Sequence, residues 1–255
     1  MKKIEPLNEL EITIKKIFED SKETYGYRRI KMALKNIGIV INHKKVLRIM
    51  KKLGIKCVKF QRKTRKYSSY KGTVGSVAKN RVNRRFMTDR CHQKLTTDIT
   101  EFKCKDGVKL YLNPVMDLFN SEILSFGISL RPTLDLALTP LKEAIEIVKD
   151  SKYRTTIHSD QGWHYQHRSW VETLKKNNIF QSMSRKGNCL DNSPMENFFG
   201  LLKQEMYYGE VDCTFEELKD KIKNYIYFYN TERIKQKLAG MSPVQYRIHT
   251  SQLAA

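Results

Sequence analysis

The sequence predicts a mixed α/β fold, a five-stranded sheet flanked by helices, preceded by a small all-α region and a basic linker. Three observations carry this prediction. Short amphipathic stretches, the later two ending at glycines, fill residues 1–55, and helical periodicity disappears from 56 to 90. From 91 to 255, three β-rich runs in hairpin succession give way to alternating strands and helices. A chain of 255 residues with 40% hydrophobic content can bury one large core or two modest ones.

In order, Pro6 opens a helix with Leu7, Leu10, Ile14, Ile17 and Phe18 on one side. The stretch YGYRRIKMALKNIG predicts a second helix, its Ile30, Ala33, Leu34 and Ile37 recurring at three and four and Gly38 ending it. Asn42 caps a third, HKKVLRIMKKLG, closed by Gly54. Two short helices joined by about five residues form a helix-turn-helix candidate. Lys44, Lys45, Arg48, Lys51 and Lys52 lie opposite the apolar residues of the second of these, where a recognition helix carries its contacts. Packing in a three-helix bundle gives the same pattern. From Lys56 to Arg90, basic residues mixed with Tyr67 and Tyr70 predict a linker that orders on nucleic acid.

The predicted strands are KLTTDITEFKC, VKLYLNPVMDLF, EILSFGISL, RTTIHSD and IFQSMS, the first two joined at Lys105-Asp106-Gly107. Helices are predicted at TLDLALTPLKEAIEIVKD, HRSWVETLKKNN, SPMENFFGLLKQEM and FEELKDKIKNYIYFYN.

Charge narrows the class of partner. The 48 Lys and Arg exceed the 27 Asp and Glu by 21, and residues 1–90 alone hold 26 basic and 7 acidic residues. Between Glu23 and Asp89 lie 65 residues without a carboxylate and with 20 cationic side chains. A polyanion is the natural partner, because neutralising its phosphates releases condensed counterions. A surface tuned only for solubility would mix signs, and an interfacial membrane helix would need an apolar and aromatic face. No apolar stretch reaches the roughly 18–20 residues of a membrane span, and the start lacks a signal-peptide core, so a cytoplasmic, nucleoid-associated protein is expected. The five cysteines are odd in number and contain no CxxC pair, which predicts reduced thiols and no zinc site.

Three acids stand out by position. Asp98 falls within a predicted strand, on one face with Thr96 and Thr100. Asp160 ends a strand, at the edge where open α/β sheets hold ligands. Glu196 lies in the first turn of a helix, with Lys203 two turns on near the same line. Carboxylates gathered together repel one another unless a divalent cation neutralises them, and an all-oxygen donor set favours Mg²⁺ or Mn²⁺. Taken singly, each acid could equally be a surface group or a cap.

The spacing and local sequence add a resemblance. Asp98 and Asp160 are separated by 61 residues, Asp160 and Glu196 by 35, and Lys203 follows Glu196 by seven. Residues 94–250 in this pattern resemble the catalytic domain of DDE transposases and retroviral integrases. HSDQGWHY, SRKGNCLDNSPMENFFGLLKQE and YNTERIKQKLAGMSPVQY resemble the second-frame protein of the IS-three insertion-sequence family, in its IS-one-fifty-like subgroup. YGYRRI with NHKKVLRIMKKLG resembles the helix-turn-helix segment preceding that domain, so the likeness runs from about Tyr25 to Tyr246.

The resemblance implies an RNase H-like fold and a metal-dependent polynucleotidyl transferase. Asp98, Asp160 and Glu196 would be catalytic ligands of two Mg²⁺ ions, with Mn²⁺ a plausible substitute. Lys203 would contact DNA near the scissile phosphate, and Arg28 and Arg29 would join the five cations of the third helix on DNA. His158 is either a site residue or a packed core residue. Asn192 or Ser193 is expected to cap the catalytic helix, and Trp163, His164 and Tyr165 to stack on a base or anchor packing. Expected partners are the element ends and target DNA, further copies of the chain, and an upstream-frame protein or its frameshift fusion. A nuclease that only hydrolyses nucleic acid and a non-enzymatic DNA-binding regulator are the alternatives.

Overall fold

The computed structural model describes residues 8–57, 77–209 and 212–253, with the side chains of 106 and 189 outside the description. Residues 1–7, with predicted contributors Pro6 and Leu7, and 58–76, with Tyr67 and Tyr70, lie outside the described residues. Two compact units are present. One comprises the described residues up to Cys57 together with those from Thr231 onward, and the other those from Val77 to Asn230.

In the first unit, Asn8 and Glu11 form a reciprocal capping box that opens α1 (Glu9–Asp20). Helix α2 (Tyr27–Asn36) ends at Gly38, whose positive φ of 85° terminates it as expected. Asn42 caps α3 (His43–Lys52) by accepting from the Lys44 amide at 2.8 Å. Ile14, Phe18, Ile30, Leu34, Val46, Ile49 and Met50 form the shared core of the three helices. Ile234 joins that core, its amide donating to the Tyr25 hydroxyl at 2.9 Å, while Asn36 donates to Gly240 O at 2.9 Å. The stretch from Thr231, which includes α9 (Pro243–Leu253), therefore packs with the N-terminal helices. These non-local contacts have no periodic signature in the sequence.

The second unit is built on a mixed sheet. Strand β3 (Lys109–Asp117) is flanked on one side by antiparallel β4 (Ile123–Ser129), and on the other by β1 (Lys94–Thr97) and β2 (Thr100–Lys103). Strand β5 (Thr156–Ser159) then runs parallel to β1, and β6 (Phe180–Met183) parallel to β5. The sheet thus has six strands and not the five expected, because the first predicted run divides at Asp98 and Ile99. Its register does not slip: Thr97 lies opposite Val115 and Thr100 opposite Leu112. Pro114 falls opposite Asp98 in that register and has no amide hydrogen, while the Ile99 amide turns to the Asp98 carboxylate at 2.8 Å. Asp98 is accordingly at the end of β1 and not mid-strand.

Both faces of the sheet are covered. Helices α4 (Leu134–Val148), α5 (Trp163–Gln166) and α6 (Arg168–Lys176) pack Leu141, Tyr165 and Trp170 with Leu95, Val115 and Ile157 on one face. Helices α7 (Ser193–Leu202) and α8 (Phe215–Thr231) pack Met195, Phe198, Ile222 and Tyr229 with Phe102, Leu110 and Leu112 on the other. This is the RNase H-like arrangement implied by the resemblance.

Residues 77–90, expected to order only on nucleic acid, are instead laid against the edge strand β6. The Arg81 amide donates to Ser182 Oγ at 2.9 Å, Val82 is buried, and the Arg81 guanidinium lies 4.3 Å from the Phe180 ring centroid. Among the described residues no helix is long and apolar enough to cross a membrane.

Candidate active site

Strands β1 and β5 are parallel, with Thr96 beside His158, so Asp98 and Asp160 leave the same sheet edge at the same level, each one residue past its strand. Adjacent strands lie about 4.8 Å apart, which places both carboxylates within reach of one cation. Asp160 is held by the Gly162 amide, which donates to its Oδ1 at 2.8 Å. A Cβ added at Gly162 would come within 2.9 Å of that same oxygen, so the turn after β5 suits glycine. Glu196 enters from the first turn of α7. Its helix is fixed by Met195, Phe198, Phe199 and Leu202, all buried against the sheet and α8.

The electrostatics follow from this convergence. Burial pushes the Asp98 carboxyl far above the ordinary carboxylate range, and the negative charges of Asp160 and Glu196 push it further. The Ile99 amide and the Asn192 side chain oppose that rise. Burial also raises Asp160, against the Gly162 amide, and raises Glu196. All three side chains remain partly open to solvent. Three oxygen donors with uncompensated mutual repulsion, reachable from outside, fit a hard divalent cation.

Lys203 begins a π-helical turn (Lys203–Tyr207) that continues α7. Its Nζ donates to Thr100 Oγ1 at 2.7 Å and lies 4.9 Å from the Phe102 ring centroid. The ammonium is thus anchored on β2, two residues beyond Asp98. Tyr207 reinforces this contact by donating to Lys103 O at 2.9 Å.

Several side chains have roles that differ from expectation. Asn192 stands at the helix N-cap position without making a capping bond. Its Oδ1 accepts from Thr96 Oγ1 at 2.6 Å, its Nδ2 donates to Thr97 O at 3.3 Å, and it bonds the Asp98 carboxylate. It therefore ties the start of the Glu196 helix to the end of the Asp98 strand. Asn113, unremarked in the sequence, accepts from Thr97 Oγ1 at 2.8 Å and from Tyr165 OH at 3.0 Å. A polar residue in the apolar run of β3 is the signal that could have found it.

His158 is the packed core residue of the two readings: fully buried, with Nδ1 2.8 Å from Ser182 Oγ, and held down to about 4 by burial. Tyr165 is buried and His164 nearly so, its Nε2 2.8 Å from Pro132 O, which leaves neither ring open to a base. Trp163 stacks on His164 with ring centroids 3.9 Å apart.

Asp191, fully buried, accepts from Arg84 Nε at 2.8 Å, from Arg185 Nε and Nη2 at 2.9 Å, and from Asn80 at 3.2 Å. Arg185 foremost, opposed by burial and joined by Arg84, holds this carboxyl far below the ordinary range. The pair joins the 77–90 segment to the loop that precedes Glu196.

In the helical unit, Lys44, Lys45, Arg48, Lys51 and Lys52 all lie on the exposed side of α3. Lys52 is engaged with buried Glu11 of α1 at 2.7 Å, an ion pair that fixes the helix packing. Arg28 is exposed beside Tyr27, and Arg29 lies over the Tyr25 ring, 5.5 Å from its centroid.

Comparison with known proteins identifies the family. Residues 6–64 match the HTH-like domain family, and residues 88–189 and 196–250 match two integrase core domain families. The chain is 51% identical over 211 residues to an uncharacterized transposase-like protein of Haemophilus influenzae, covering 82% of this chain and 94% of the relative. It is 43% identical over 237 residues to the putative transposase InsK for insertion sequence element IS150 of Escherichia coli, covering 93% and 82%. It is 32% identical over 232 residues to the transposase InsF for insertion sequence IS3A of Escherichia coli, covering 90% and 78%. With relatives of this identity matched over more than three quarters of their length, an HTH-like domain in front and an integrase core behind, the chain belongs to the IS3 family of insertion-sequence transposases.

Proposed function

We propose that this transposase cuts DNA at the ends of its insertion sequence and joins the freed 3′ hydroxyl to a target strand, using Asp98, Asp160 and Glu196 as a Mg²⁺-binding triad. One observation carries the assignment: the three partly exposed carboxylates converge at one sheet edge, with Asp98 raised by burial and then by the charges of the other two. Two magnesium ions held there would supply Lewis-acid activation of the attacking oxygen and stabilisation of the leaving one, as manganese could. The chain's own contribution is positioning. Asn192 orients Asp98, the Gly162 amide orients Asp160, and the buried face of α7 fixes Glu196. Lys203, anchored on Thr100, would exchange that hydroxyl for a DNA phosphate beside the scissile bond. Lys44, Lys45, Arg48 and Lys51, with Arg28 and Arg29, would contact the backbone and bases of the element end. Several copies, with the upstream-frame protein or its fusion, would bridge two ends near the nucleoid.

The test is Mg²⁺-dependent processing of the element's own ends, with and without the upstream-frame protein. Asp98→Asn, Asp160→Asn and Glu196→Gln are each expected to abolish cleavage while DNA binding persists. Cleavage surviving all three changes would overturn the triad, and DNA binding without any cleavage by the native chain would leave a non-enzymatic regulator. Shortened strands without any joined product from a pre-cut end would leave a nuclease.

A further inference from the structure

At the opposite edge of the sheet from the acidic triad, a second cluster of donors has no role in the chemistry above. Asp117 ends β3 and is fully buried. Its Oδ2 accepts from Cys91 Sγ at 3.2 Å and from the His92 amide at 2.8 Å, and its Oδ1 from the Phe119 amide at 3.0 Å. One ligating atom from each of Cys91, His92 and Asp117 lies within 4.8 Å of the others.

Two fully buried aspartates of this unit provide a comparison. Asp191 is clamped by two guanidinium groups. Asp117, among the described residues, is bonded by no lysine or arginine, and burial raises its carboxyl above the ordinary range. A carboxylate withdrawn from water without a cation is costly, so the position is suited to one. The neighbouring thiol and imidazole are half-exposed and face it from a turn just ahead of β1.

That turn is preorganised. His92 sits at φ 65°, a region a non-glycine residue enters only at a cost. The Tyr153 hydroxyl donates to Cys91 O, and Thr155 Oγ1 donates to His92 O at 2.9 Å. Backbone bonds on three sides thus hold the two side chains beside Asp117. Zinc bonds of about 2.3 Å to sulfur and about 2.0 Å to oxygen, at tetrahedral angles, separate the two ligand atoms by about 3.5 Å. The observed separation of sulfur and oxygen needs only a small adjustment to meet that.

We infer that Cys91, His92 and Asp117 form a site for a borderline-soft divalent cation of the Zn²⁺ class, with a water completing the tetrahedron. On binding, the Cys91 S–H bond breaks and a sulfur–zinc bond forms. The proton passes to solvent, and nothing is oxidised or reduced. The ion would clamp the entry of β1 to the end of β3, a structural role independent of the triad's reading. The lack of a CxxC pair hides this site from sequence, since one ligand comes from 25 residues away across a strand pairing.

The test uses the full chain carrying Asp98→Asn, Asp160→Asn and Glu196→Gln, so that the proposed magnesium site does not compete. Titration with Co²⁺ is expected to give one equivalent of binding and a thiolate-to-cobalt charge-transfer band, bleached by Zn²⁺. Cys91→Ser should remove the band, and His92→Ala should weaken binding roughly tenfold or more. Both positions are half-exposed, and circular dichroism of the metal-free variants checks their folding. Absence of the band, or a band of unchanged affinity in folded Cys91→Ser protein, would overturn the inference.

Discussion

Replacing Asn192 by alanine separates the scaffold of the site from its ligands. Asn192 is buried, and its amide satisfies the Thr96 hydroxyl and the Thr97 carbonyl, both on residues closed to solvent, besides bonding Asp98. Truncation leaves those two buried groups without their partner. At about 1–3 kcal/mol for each orphaned group, and with some relief from adjustment nearby, a loss of about 2–4 kcal/mol in unfolding free energy is expected. Trp163 and Trp170 are the chain's two tryptophans and both lie in the sheet-containing unit, so urea unfolding followed by their fluorescence reports on it. In cleavage assays the variant should need more Mg²⁺ than the native chain, because Asp98 loses its tether to the Glu196 helix. An unfolding free energy within about 0.5 kcal/mol of native, outside the range for a lost buried bond, together with unchanged Mg²⁺ dependence, would refute this account of Asn192.

Asp191→Asn tests the clamp on the 77–90 segment. Because the folded carboxyl is depressed, its stabilisation is complete above the unfolded value near about 3.9 and is lost as pH falls toward the folded one. The stability gap between native and variant should therefore be wide at neutral pH and narrow below about pH 4, and a pH-independent gap would contradict the clamp. Gly127→Ala should destabilise by about 1–3 kcal/mol in the same fluorescence assay, since its Cβ would meet the Leu136 carbonyl oxygen at 2.6 Å. If α3 contacts phosphates, removing Lys44, Lys45 or Arg48 should each flatten the plot of log binding constant against log salt by about 0.9. Parallel plots would place the DNA elsewhere.

Most of the secondary structure was legible because it rests on local patterns. The glycine-terminated helices α2 and α3, the second capped by Asn42, and the β-rich runs of β3 to β6 carry their own local signals. The acids Asp98, Asp160 and Glu196 were legible through spacing and resemblance, not through composition. What escaped depends on partners distant in sequence. The division of the first strand requires Pro114 across the pairing, and the docking of residues 77–90 requires Ser182 and Asp191. Helix α9 lacks an apolar stripe, leaving Ile248 exposed. Asn192 has the position of a cap, whereas its bonding is decided by β1.

The uninterrupted register through Asp98 sets where the chain can tolerate a change of length. Thr100 and Phe102 point into the interior while Glu101 and Lys103 point out. One extra residue after Ile99 would exchange these two sets, driving Glu101 into the apolar layer and expelling Phe102. It would also carry Thr100 away from the Lys203 ammonium. The Lys105–Gly107 turn, beyond β2, has no such constraint, so length variation among sibling elements should collect there and be purged from the ten residues before it.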